Sequence, residues 1–166
     1  GLLGQWIELV GPDLAERNPS LAIARAWYGA GTADPTVIAS SIKAAEGLVH
    51  EGPLADGSPS LDVAIAAVRS IVAAEGTAGV LRDTAIIRDG GGPRTNPWWG
   101  FATCLAGTVA SLDGENAKAR DLVYAGVGEV AHSPSFEAGF LGVLALIEAD
   151  DEDFDQARRH ARRAMR

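Results

Sequence analysis

The chain has 166 residues and is 47% hydrophobic, enough apolar surface for a sizeable core, which excludes a disordered polypeptide. Fourteen Lys and Arg against 22 Asp and Glu give a net charge of −8, which repels phosphate backbones and argues against direct nucleic-acid contact. Cys104 is the only cysteine, which excludes an intrachain disulfide or a thiolate zinc cluster and suits a reducing cytoplasm; no run of about 18 apolar residues and no basic leader points to a membrane or to export.

Aromatics are scarce and alanine is abundant, a composition suited to helix-on-helix packing in which small side chains let backbones approach. Residues 1–17 read as the end of a preceding helical unit carrying Trp6, Leu9 and Val10, closed by the Gly11-Pro12 break. From residue 18 onward, proline placement sets the organisation. Asn18-Pro19, Asp34-Pro35, Ser58-Pro59, Asn96-Pro97 and Ser133-Pro134 each pair a good N-cap with a residue suited to the first helical turn, so each is expected to start a helix. Pro19, Pro59, Pro97 and Pro134 recur at intervals of 40, 38 and 37 residues, a period typical of helical repeats. Helices are predicted at 20–31 and 35–49, 60–75 and 77–89, 97–112 and 115–131, and 135–149 and 153–166. These make four hairpins over 18–166, joined by Gly- and Pro-rich linkers at 50–59 and 89–96 that read as mobile loops. Pro97 to Leu112 contains no charged residue, so this helix is expected to be sandwiched, with Trp98, Phe101, Leu105, Val109 and Leu112 as its core stripe. The chain stops at Arg166 inside an amphipathic pattern and reads as an excerpt of a longer polypeptide.

No motif recommends catalysis or a cofactor. Gly90-Gly91-Gly92-Pro93 lacks the Lys-Ser/Thr ending of a phosphate loop and follows no strand, so it reads as a linker. His50, His132 and His160 fall on different hairpins without metal-ligand spacing, and Cys104 sits in the uncharged helix with no base beside it. The acidic run Glu148, Asp150, Asp151, Glu152, Asp153 and Asp155 lacks the pattern of a calcium loop and stands where a helix N-terminus favours negative charge. Arg158, Arg159, Arg162, Arg163 and Arg166 read as a solvated face.

Small residues recur where paired helices should touch: Ala66, Ala78 and Ala85; Gly107, Ala119 and Gly126; Ala145, Ala157 and Ala164, with Phe154 just before the last pair. The first unit departs from this pattern with Ala39 followed by Glu46. The spacing resembles the tetratricopeptide repeat. The phrasing from Trp6-Ile7-Glu8-Leu9-Val10 through Asn18-Pro19-Ser20-Leu21 to Ala26-Trp27 resembles the helical-repeat region of MalT-like transcription regulators of the LuxR family. So does the stretch from Asn96-Pro97-Trp98-Trp99 through Leu112-Asp113-Gly114-Glu115 to Leu144-Ala145-Leu146-Ile147-Glu148 and Ala157. This resemblance implies an all-α, right-handed solenoid of about four hairpins that receives a protein or small-molecule effector. It further implies an NTPase module before the repeats and a helix-turn-helix after them in the same cytoplasmic bacterial polypeptide. A scaffold domain from another multidomain signalling protein is the alternative. The tryptophan rings are read first as packing between repeats; if first helices line an inner groove, as in tetratricopeptide arrays, the recognition surface lies around Trp98 and Trp99, with Trp27 and Tyr28 as lesser candidates and Arg94 and Asn96 adding polar contacts. Adjacent Trp98 and Trp99 differ by about 100° around the helix and cannot share one seam.

Overall fold

A computed structural model of the chain describes residues 13–14, 16–130 and 133–166, which hold eight α-helices and no strand. They are α1 (Pro19–Thr32), α2 (Pro35–Glu46), α3 (Leu61–Val72), α4 (Gly76–Asp89), α5 (Trp99–Leu112), α6 (Asn116–Val127), α7 (Pro134–Asp150) and α8 (Phe154–Ala164). A 3₁₀ turn at Gly128–Val130 extends α6. The expected helical unit at residues 1–17 lies almost wholly outside the described residues.

Three of the five proline starts act as expected. The Asn18 Oδ1 accepts from the Leu21 N–H at 3.2 Å, and the Asp34 Oδ1 accepts from Thr36 and Val37 at 3.0 and 3.1 Å, each ahead of a proline in the first turn. Pro134 opens α7 in the same way, although Ser133 makes no side-chain cap bond. The other two are corrected by the structure. α3 begins at Leu61 with Ser60 as its cap, and α5 begins at Trp99. The reason is that Ser58 and Asn96, 0% and 1% exposed, are committed elsewhere. Asn96 donates through Nδ2 to the Ile87 carbonyl at 2.6 Å and accepts from the Trp98 N–H at 3.0 Å. The Ser58 hydroxyl accepts from the Trp98 indole N–H at 3.0 Å. Buried polar groups must be satisfied, so these bonds fix where each linker enters the fold. The linkers read as mobile are therefore pinned: the Ser58 N–H donates to Asp56 Oδ1 at 2.9 Å, the Ser58 carbonyl accepts from the Leu54 N–H at 2.9 Å, and Leu54 is buried.

Each helix pair, α1/α2, α3/α4, α5/α6 and α7/α8, packs most extensively within itself, and each pair also packs on the next: α1 and α2 on α3, α4 on α5, α5 and α6 on α7. The third pair brings two helix backbones close together. A Cβ on Gly126 would lie 2.5 Å from the Gly100 carbonyl oxygen and 2.7 Å from the Cys104 sulfur, and one on Gly107 would lie 2.7 Å from Val123 Cγ2. With Ala119 fully buried, the small residues read from the sequence are here the contact surface itself. In the second pair the pattern is off by one position. Ala66 is buried but Ala78 and Ala85 are exposed, because α4 turns Gly79, Val80, Asp83, Thr84 and Ile87 inward instead. In the fourth, Ala157 is buried, Ala145 and Ala164 are half-buried, and Phe154 is exposed. The α5 stripe holds at Phe101 and Val109 and fails at Leu112, the exposed last residue of the helix.

Candidate functional site

Four aromatic side chains were expected to mark a recognition surface, and the structure brings two of them together. Trp27 of α1 and Trp98, the residue preceding α5, stack with ring centroids 4.9 Å apart and 12° between planes. Both rings lie over Val63, Ala66, Ala67, Ile87 and Ala102, where the small side chains of α3 leave room for an indole from each neighbouring pair. Trp98 also meets the edge of Phe101, which continues to Phe136 and Phe140 of α7. Offset-stacked and edge-on rings gain about 0.5–1.5 kcal/mol per pair beyond their area burial. Trp99 and Tyr28 are half-buried and belong to none of these aromatic pairs. Of the polar candidates, Arg94 is exposed and Asn96 is a buried bracket.

A groove that the sequence reading missed runs between α2 and the α3/α4 pair, with a volume of about 610 Å³. Its α2 wall is Pro35, Ile38, Ala39, Ile42, Lys43 and Glu46, a stripe at helical spacing, and Val72 and Val80 form the facing wall. Its polar frame is built from ion pairs. Arg69 reaches Glu46 at 3.0 Å on one side and the buried Asp83 at 2.8 Å on the other. Arg82 holds Asp83 at 3.3 Å and Glu75 at 2.7 Å, and its hydrogen bond and charge hold the Glu75 carboxyl below the usual carboxylate range. Lys43 takes part in no ion pair among the described residues. The groove offers apolar walls with a charged lip and no nucleophile beside a base, an arrangement suited to binding.

A second polar group joins α6, α7 and α8. Glu148, 5% exposed, accepts from Arg120 Nε at 3.2 Å and sits 3.4 Å from the Tyr124 hydroxyl, which in turn lies 2.9 Å from His160 Nε2. Arg120 also binds Asp151. Burial pushes the His160 pKa below its ordinary value, Arg163 and Arg159 add to that, and Glu148 opposes it; burial first, then Glu148, pushes Tyr124 up. A histidine held neutral in the fold contributes nothing unfavourable above its unfolded value near 6.5, and costs stability as pH falls through that value toward the lowered folded one. Urea melts are therefore expected to show a midpoint that declines from pH 7.5 to pH 5.5, with His160→Gln declining less. Equal declines in both proteins would remove His160 from the account.

Four residues of the acidic run have such roles: Asp153 caps α8 through the Gln156 N–H at 3.1 Å, Asp151 pairs with Arg120, Asp155 pairs with Arg158 at 3.7 Å, and Glu148 is buried. No group of three metal-ligating side chains occurs among the described residues. Cys104 is buried, and desolvation pushes its thiol up to about 12, so it is no thiolate at neutral pH. No helix among the described residues is long and apolar enough to cross a membrane. Comparison with protein-family models, curated proteins and solved structures finds no match to the chain.

Proposed function

We propose that the chain is a non-catalytic receiving module, a right-handed α-solenoid of four tetratricopeptide-like hairpins within a MalT-like transcription regulator of the LuxR family. The groove between α2 and α3/α4 is the observation that carries a binding role: apolar side chains line it along the length of α2, with Glu46, Glu75 and Lys43 at its lip. Repeat proteins bind along surfaces made by successive hairpins, and an occupant that favours one spacing of α2 against α4 would bias whatever modules flank the array. The repeat period, the small-residue contacts of the third pair and the sequence resemblance support the family reading.

Two results test it. The open reading frame that encodes the chain is expected to carry an NTPase module upstream and a helix-turn-helix downstream; a catalytic domain on either side would replace the regulator with a scaffold. In a reporter strain, Ala39→Glu places a charge on the exposed α2 wall of the groove and is expected to abolish inducible transcription while leaving the helical melt unchanged. Full induction by that variant would remove the groove from signal reception.

A further inference from the structure

The fourth helix pair has an apolar outer face. On α8, His160 points at Tyr124 of α6, and on α7, Phe136 and Phe140 point at Phe101 of α5, so the third pair covers these flanks. The other flank of α8 carries Phe154 and Met165, 56% and 79% exposed, within about 20° of one line along the helix. The other flank of α7 carries Leu146, 69% exposed, with Gly139 and Gly142, where a Cβ would meet nothing within 4 Å. Helical spacing puts these three positions on one stripe, a leucine knob beside a glycine hollow. Stacked helix pairs ordinarily end on a polar outer face, so this one calls for a cover. Its charge is divided between two ends. Where α7 ends, Asp150 and Glu152 are exposed and make no ion pair among the described residues; where α8 ends, beside the start of α7, the same holds for Arg162 and Arg166. The neighbouring Asp151, Asp155, Arg158 and Arg163 are engaged within the copy.

We propose that two copies of the chain pair through this face about a two-fold axis, α7 against α7 and α8 against α8, each antiparallel to its counterpart. Positions 139 and 146 lie on either side of the middle of α7, so turning one copy end for end sets its Leu146 over the glycine hollow of the other. The same inversion brings Asp150 and Glu152 of each copy to Arg162 and Arg166 of its partner, twice over. A two-fold axis running along the helices would instead stack acidic end on acidic end and basic on basic. Two helices side by side offer a face of about 25 Å by 20 Å, so the pair covers roughly 1,000 Å² in all, at the low end for a specific interface. A dimer that dissociates at micromolar concentration is therefore expected. The contact is isologous and closes on itself, so association stops at two. It uses no residue of the α2–α4 groove and does not depend on the receiving role.

Sedimentation equilibrium of the purified chain across the micromolar range tests the proposal. A monomer–dimer equilibrium that added salt weakens is expected, with nothing larger. Leu146→Glu should weaken the dimer at least about tenfold, because it sets a carboxylate against apolar surface. Gly142→Leu fills the hollow and should abolish the dimer while raising the helical melt, since glycine is a poor helix former and a side chain there meets nothing in its own copy. Asp150→Lys with Glu152→Lys in one protein, and Arg162→Glu with Arg166→Glu in another, should each lose the dimer through like charge. Mixed, those two proteins should pair one to one, because both ends of the contact are then attractive again. All of these charged positions are exposed, so the melts stay near wild type. A monomer at every concentration, a dimer indifferent to Leu146→Glu and Gly142→Leu, or charge variants that fail to pair when mixed would overturn the proposal. So would a further helical hairpin of the same polypeptide packed over Leu146 in the full-length protein.

Discussion

Trp98→Ala is expected to lower the stability of the chain by about 3–5 kcal/mol, the range for emptying a packed aromatic site. The indole stacks on Trp27, meets the edge of Phe101 and donates to the buried Ser58 hydroxyl, so its removal opens a void and leaves a buried acceptor without its donor. Chemical denaturation with far-ultraviolet dichroism would measure it, and a loss below about 1 kcal/mol would show that the stack contributes little. Trp99→Ala should cost markedly less, because Trp99, half-buried like Trp98, makes none of these aromatic contacts. The comparison separates the two neighbours: stability belongs to the first, and any loss of response without loss of melting would belong to the second.

Gly126→Val should destabilise at the upper end of the overpacking range, about 3 kcal/mol. The first added carbon already meets the Gly100 carbonyl at 2.5 Å, and a backbone oxygen cannot swing aside as a side chain can. α6 must therefore move away from α5, loosening Cys104, Val123 and Val127 in the same cluster. Gly128→Val is the matched control, because nothing lies within 4 Å of a Cβ at that position. If thermal melts place the two variants at the same midpoint, the α5–α6 approach is not close enough to matter.

Helix content and most helix limits were legible because they depend on local chemistry. A proline in the first turn and a side-chain oxygen before it act within four residues, as at Asn18-Pro19 and Asp34-Pro35. The same dipeptide signature misled at Ser58-Pro59 and Asn96-Pro97, where the polar side chain answers to a partner set by tertiary folding: Trp98 lies forty positions beyond Ser58. Nothing in the local sequence distinguishes those two uses of a serine. The groove was illegible for a related reason. Ile38 and Ile42 have the spacing of an ordinary core stripe, and only the seat of α4, with Gly79 and Val80 facing them, leaves the space open. The register of α4 itself escaped because Gly79 and its neighbour Ala78 are both small, and composition does not say which of them turns inward. Of the aromatic candidates, the reading that Trp98 and Trp99 must part company followed from helix geometry alone; that Trp98 would reach Trp27 did not.

The Trp27–Trp98 stack also bears on how the four helix pairs come apart. Linear repeat proteins gain stability from each unit and from its immediate neighbours, so terminal units can fray singly. Here the first hairpin touches the third through its indole, across the alanines of the second, and the aromatic contact continues from Phe101 to Phe136 and Phe140 in the fourth. Peeling α1 away exposes a ring that the third hairpin needs, so the loss at one end is felt two units on. With such next-nearest coupling the four hairpins are expected to unravel together, and native-state hydrogen exchange to show a common protection across them.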